Sequence, residues 1–107
     1  MSTPEARIKA IVKSRLADEF NTLMYRFAPV QNGMGSPTLD VLYCVNGLWF
    51  WIEAKAPGKE PTPRQDLTIA AIRAAGGIVY VVDSAELVEM VIKDIRKKIR
   101  ARDRSLA

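Results

Sequence analysis

Three residues in the middle of the chain have the types and spacing to do hydrolytic chemistry: Asp40, Glu53 and Lys55. Between them stands Asn46-Gly47, a dipeptide suited to a two-residue hairpin turn because both positions accept positive φ. The flanking runs are rich in Val, Tyr, Trp, Phe and Ile, the composition of strands. With the turn at Asn46-Gly47, Val45 faces Leu48, Cys44 faces Trp49, and counting outward Asp40 faces Glu53. Side chains alternate faces along a strand, so Glu53 and Lys55 project from one side, together with Asp40. Like charges opposed in a sheet are destabilising. A divalent cation is a common reason to keep such a pair. Magnesium takes oxygen ligands, keeps several waters and often needs only one or two carboxylates. Asp40 and Glu53 supply those, and the backbone carbonyl of Ala54 is a candidate third ligand. A bound metal offers Lewis acidity and a water of lowered pKa, the two needs of phosphodiester hydrolysis. Lys55 could then orient the water or stabilise developing negative charge. A plainer reading competes with this one, a cross-strand salt bridge in which Lys55 neutralises the two acids.

The composition narrows the chemistry further. The 107 residues make one domain with one core. Apolar content of 49% and charged content of 26% are ordinary globular values. There is no histidine, which removes serine–histidine hydrolysis, histidine bases and the usual zinc enzymes. A single cysteine, Cys44, allows neither an internal disulfide nor a cysteine-built zinc site, and reads as a small buried residue. No signal-like or membrane-length apolar stretch is present, so a soluble, reducing, intracellular setting is expected.

The elements that must position these residues follow in chain order. Ser2 is a candidate cap for a first helix, with Pro4 in its first turn and Glu5 three residues after the cap. Ile8, Ile11, Val12, Leu16 and Phe20 recur at helical spacing. Thr22 to Ala28 reads as a strand in which Leu23, Tyr25 and Phe27 alternate with Met24 and Arg26. Gln31 to Pro37 is polar and glycine-rich, a mobile loop entering the hairpin. After residues 56–61, Thr62 caps a second helix with Pro63 first and Gln65 third, and Gly76-Gly77 stop it. Ile78 to Val82 is an all-apolar run typical of a strand buried on both faces, parallel to the Leu48–Lys55 strand through a right-handed crossover. Ser84 opens a last helix, apolar at Leu87, Val88, Val91, Ile92, Ile95 and Ile99. The expected fold is α/β: a single domain in the order αβββαβα around one mixed sheet.

The net charge of +4 is unevenly distributed. Lys93, Arg96, Lys97, Lys98, Arg100, Arg102 and Arg104 stand against Asp94 and Asp103, so this segment is +5 and the remainder −1. A basic cluster on a near-neutral domain suggests a polyanionic partner such as nucleic acid. Cations at a helix C-terminus also complement its dipole with no partner at all.

The stretch LDVLYCVNGLWFWIEAK, then PTPRQ and AAGGIVYVV, resembles the VRR-NUC family of the PD-(D/E)xK nuclease superfamily. The resemblance spans roughly Glu5 to Leu87 and leaves the basic tail outside. It rests on the aspartate, the hairpin glycine, the Glu-x-Lys strand and the glutamine opening the next helix. It implies a restriction-endonuclease-like core, a magnesium or manganese cofactor and phosphodiester cleavage. Asp40 and Glu53 are then metal ligands, Lys55 the catalytic lysine, Gln65 a residue near the metal water or the DNA, and Glu5 the first-helix glutamate that completes the site. The family's proline before the aspartate is replaced by Leu39, with Pro37 two residues earlier. Gln65 and Glu5 also read as capping-box residues, while Trp49 and Trp51 read as core, with base stacking as the alternative. A lone domain of this type resembles small phage proteins acting on branched DNA as homodimers. Nicking or general duplex cleavage, and a DNA-binding module with a vestigial site, are the rival readings. No organic cofactor or membrane is implied.

Overall fold

The structure, a computed structural model, describes residues 2–30 and 38–106. The glycine-rich loop read at Gln31–Pro37 lies outside the described residues. The elements are α1 (Pro4–Phe20), a single 3-10 turn (Asn21–Leu23), β1 (Met24–Phe27), β2 (Val41–Val45), β3 (Leu48–Ala54), α2 (Pro63–Ala74), β4 (Val79–Val82) and α3 (Ala85–Leu106). The strands form one mixed sheet in the order β1-β2-β3-β4. The first three are antiparallel neighbours, and β4 runs parallel to β3. The αβββαβα order expected from the sequence is the order found. Among the described residues no helix is long and apolar enough to cross a membrane.

Asn46 and Gly47 take φ of 47° and 83°, the left-handed pair that a tight hairpin between β2 and β3 requires. That turn sets the register Val45↔Leu48 through Val41↔Ile52. Strand alternation then divides the hairpin between two layers. Val41, Tyr43, Val45, Phe50, Ile52 and Ala54 face α1 and α3 and form the main core with Val12, Leu16, Val88 and Ile95. Among the described residues the other face meets only α2: Trp51 packs with Leu39, Ile69 and Val79, Ile72 and Val81 closing the cluster.

All three helices begin at the same end of the sheet. Lys9 of α1 reaches Asp40, Gln65 of α2 reaches Glu53, and α3 starts directly after Val82, the partner of Ala54. α1 and α3 lie side by side in the same direction, joined by Arg15–Glu89 and Arg96–Glu19. The positive ends of three helix dipoles therefore gather where the two carboxylates sit.

Local details depart from the sequence reading in four places. Thr3, not Ser2, caps α1, accepting the Ala6 N–H at 3.1 Å. Pro4 is thus the first helical residue, where its missing N–H costs nothing. The first strand is shorter than Thr22–Ala28. Asn21 turns the chain out of α1 with φ 48° while its N–H still bonds the Ala17 carbonyl, so strand geometry begins only at Met24. Trp49 is not core: it is 53% exposed and meets Tyr25 edge-on, because the α2-side cluster takes in Trp51 and Val79 and leaves out Trp49, nearer the hairpin turn. Cys44, on that same uncovered face, is half-buried rather than buried. The stop at Gly76-Gly77 is as read: Gly76 has φ 88°, and a Cβ on Gly77 would lie 2.5 Å from the Ile72 side chain.

Candidate active site

The hairpin register extended by one residue puts Asp40 opposite Glu53 at the end of the sheet. Leu39, fully buried, anchors the chain just before Asp40 in the α2-side cluster. The two acids are joined through the backbone. Glu53 Oε2 accepts the Asp40 N–H at 2.9 Å, and Asp40 Oδ2 accepts the Ala54 N–H at 2.9 Å. N–H and C=O of one strand residue share an edge, so the Ala54 carbonyl lies on the side of β3 that faces Asp40.

Glu53 is 2% exposed and Lys55 8%, the two charged side chains in the buried set. Burial raises the Glu53 carboxyl above its ordinary value, and the neighbouring Asp40 charge raises it further. The Asp40 N–H and the Lys55 ammonium, 3.6 Å from Glu53 Oε1, oppose that shift. A buried acid held against a second acid is costly unless cations or donors compensate it. Here the compensation is built in, with Lys55 on the same strand and Gln65 from α2.

Gln65 has both roles open to it. Its Oε1 accepts the Thr62 N–H at 3.0 Å while the Thr62 hydroxyl accepts the Gln65 N–H, a complete capping box. Its Nε2 donates to Glu53 Oε1 at 2.9 Å. The helix cap is thereby the device that aims the amide at the acid. Glu5 is different. With Thr3 as cap it stands second in α1, outside any capping box, and pairs with Lys9 at 3.5 Å. Among the described residues it meets the site through Lys9, which lies 3.4 Å from Asp40 Oδ1.

Lys9 was not read from the sequence as a site residue. Burial lowers its ammonium, but the Asp40 and Glu5 charges outweigh that and leave it above its ordinary value. Its only sequence signal is the position four residues after Glu5, which marks an ordinary helix-surface pair. That it also meets Asp40 follows from how α1 crosses the sheet.

The basic tail is not brought to this place. Arg102 donates to the Asn46 carbonyl at 2.6 Å, at the hairpin turn, six residues of β3 and so about 20 Å from Glu53. Three of the seven cations are engaged within the fold: Arg96 with Glu19, Lys98 with Asp94, and Arg102 with Asn46 and Asp103. Lys93, Lys97, Arg100 and Arg104 make no ion pair among the described residues. Their spacing puts them on one outward ridge of α3, roughly 16 Å long at the helical rise per residue.

Whether the site suits a divalent cation is a question of donors. Two carboxylates and a backbone carbonyl form an all-oxygen set suited to a hard ion such as magnesium or manganese. Among the described residues no group of three or more acidic, histidine or cysteine side chains is gathered. Two carboxylates and a carbonyl would leave positions for water, the pattern of a magnesium-type ion rather than of a closed structural metal.

No family model matches the sequence, and no curated protein does. A solved structure described as a VRR_NUC domain is similar to this chain, with a TM-score of 0.70 and 27% identity, over 86% of this chain and 97% of that one. The matching fold agrees with the resemblance read from Asp40, Glu53-x-Lys55 and Gln65, and this structural likeness supports the VRR-NUC family and a nuclease of the PD-(D/E)xK type.

Proposed function

We propose that this domain is a magnesium- or manganese-dependent endonuclease that cleaves DNA phosphodiester bonds, acting on branched DNA as a homodimer. One observation carries the reading: Asp40 and Glu53 are clamped together at the sheet end, with Lys55 and Gln65 fixed on Glu53. Asp40, Glu53 and the Ala54 carbonyl would hold the cation. When bound it supplies Lewis acidity and an acidified water. Lys55, immobilised by burial, is positioned to stabilise negative charge on the phosphate or to orient the attacking water. Gln65 keeps Glu53 in one orientation, as outer partners of metal ligands do. The helix N-termini at this end favour an approaching phosphate. The free ridge of Lys93, Lys97, Arg100 and Arg104 offers phosphate contacts at a distance from the cut.

The oligomeric part of the reading rests on geometry of the substrate. Resolving a four-way junction needs two nicks on opposed strands, hence two sites related by a two-fold axis. Each chain has one. The uncovered sheet face with Leu23, Tyr25, Phe27 and Trp49, all about half exposed or more, is apolar material for an interface.

The test is incubation with linear, nicked, flapped and four-way DNA in magnesium, in manganese and in a chelator, with sedimentation alongside. The expected outcome is metal-dependent cutting, fastest on branched DNA, by a dimer. A monomer cutting linear and branched DNA equally would favour a nicking or general duplex endonuclease. Cleavage in excess chelator would remove the metal reading.

A further inference from the structure

A cavity of about 430 Å³ opens between α1 and β1, immediately beside Asp40. Its floor is the sheet face of Val41 and Ile52, and its two cationic walls are Lys9 and Arg26. Asp40 and Pro29 also line it. The volume is in the range of small-ligand sites, and an apolar floor with a few placed polar groups is their usual chemistry.

Among the described residues the charges lining the cavity do not balance: the one acid there, Asp40, is already committed to Lys9 and to the Ala54 N–H. Arg26 makes no ion pair among the described residues. Its Nε donates to the hydroxyl of Tyr43 at 3.2 Å, and Tyr43 is fully buried. Arg26 is itself exposed, tethered at one nitrogen to a buried core residue, and its two terminal nitrogens have no partner among the described residues. A planar, always-charged fork turned to solvent in this way is suited to a phosphate.

We propose that this cavity is a nucleotide subsite: Arg26, with Lys9, grips the phosphate next to the one that is cut, and the apolar floor takes its sugar or base. The proposal rests on the nuclease reading, because it is the position beside Asp40 that makes the ligand a neighbouring nucleotide. It adds Arg26 as a substrate-binding residue and Tyr43 as the residue that positions it. The subsite lies at the catalytic end, so it is distinct from the ridge on α3.

The experiment separates binding from chemistry. Deoxythymidine 3′,5′-bisphosphate is titrated into the full chain in EDTA, with affinity measured by calorimetry and location by amide chemical shifts. The expected result is a single site with shifts at Lys9, Arg26 and Tyr43. Affinity should fall about tenfold in Arg26→Gln, the scale of removing one charge-assisted hydrogen bond, and less in Arg26→Lys. Tyr43→Phe should weaken binding by a smaller factor while melting as a folded protein. In magnesium, Arg26→Gln should raise KM for DNA and leave kcat nearly unchanged. Nucleotide binding that is unaffected by Arg26→Gln, absent in the wild type, or confined to the α3 ridge would overturn the subsite. Because the EDTA titration needs no metal and no cleavage, an Arg26-dependent site in a protein that fails to cut DNA would keep the subsite and reject the nuclease reading instead.

Discussion

Asp40 and Glu53 hold one another by the backbone, each carboxylate accepting an N–H from the other's strand at 2.9 Å. Neutralising either acid therefore disturbs a clamp as well as a proposed metal ligand. Glu53→Gln forces an amide NH₂ towards a donor, either the Asp40 N–H or the Gln65 amide, so one donor pair faces donor. Cleavage should fall by about 100-fold or more, the scale of losing a preorganised charge at a reacting centre. Asp40→Asn should fall likewise. A ligand that binds only the folded state stabilises it by about 2.7 kcal/mol at a hundredfold excess over Kd. Magnesium should thus raise the melting temperature of the wild type clearly and that of Asp40→Asn much less. Full activity in the Glu53 variant would sink the site assignment.

The double engagement of Gln65 can be split. Thr62→Ala removes the cap hydroxyl and should cost about 1 kcal/mol of stability while retaining most cleavage. Gln65→Ala loses both the reciprocal cap bond and the hydrogen bond to Glu53. Its cleavage should drop about 10- to 100-fold, as for loss of a partner orienting a metal ligand. Equal activity losses in the two variants would mean that the amide serves only the helix.

The α3 ridge makes a claim about salt. Replacing Lys93, Lys97, Arg100 and Arg104 by Gln should weaken DNA binding and flatten its dependence on salt by about 0.9 for each phosphate that is no longer neutralised. kcat at saturating DNA should hold. Replacing Arg102 by Gln instead should lower stability through the hairpin turn and leave the salt slope alone. A slope unchanged by the fourfold variant would make the ridge a solvated helix face.

The clasp between α1 and α3 has a pH signature. Arg15 holds both Glu19 and Glu89 below their ordinary value, and Arg96 adds to the effect on Glu19. A depressed carboxylate contributes stability above its unfolded pKa and loses it as pH falls through its folded pKa. Arg15→Gln should therefore melt lower than the wild type at pH 7 and converge with it near pH 2. Raising the salt at pH 7 should narrow the gap, since these side chains are exposed and screened. A difference that persists undiminished in acid would assign the role of Arg15 to packing.

The sequence by itself determined what depends on neighbours along the chain. Asn46-Gly47 accepts the left-handed turn, and a period of two carries the count outward, so the opposition of Asp40 and Glu53 was legible before any tertiary contact. Thr62, Pro63 and Gln65 likewise define a helix start by local hydrogen bonding. The short apolar run at Val79–Val82 and the crossover rule made β4 parallel to β3. Tertiary structure decided what depends on how layers cross. It brought Lys9 onto Asp40, aimed the Gln65 cap amide at Glu53, and set Arg26 across a cavity from Lys9. It half-buried Trp51 and left Trp49 open, though both are on β3 and point to one face, because the α2-side cluster takes in Trp51 and leaves out Trp49. It also carried the basic tail to the hairpin end, away from the acids. Along the chain that tail is simply a charge run; a 22-residue helix that begins at the end carrying Asp40 and Glu53 must finish at the other, and only the packing of α3 against α1 fixes that direction.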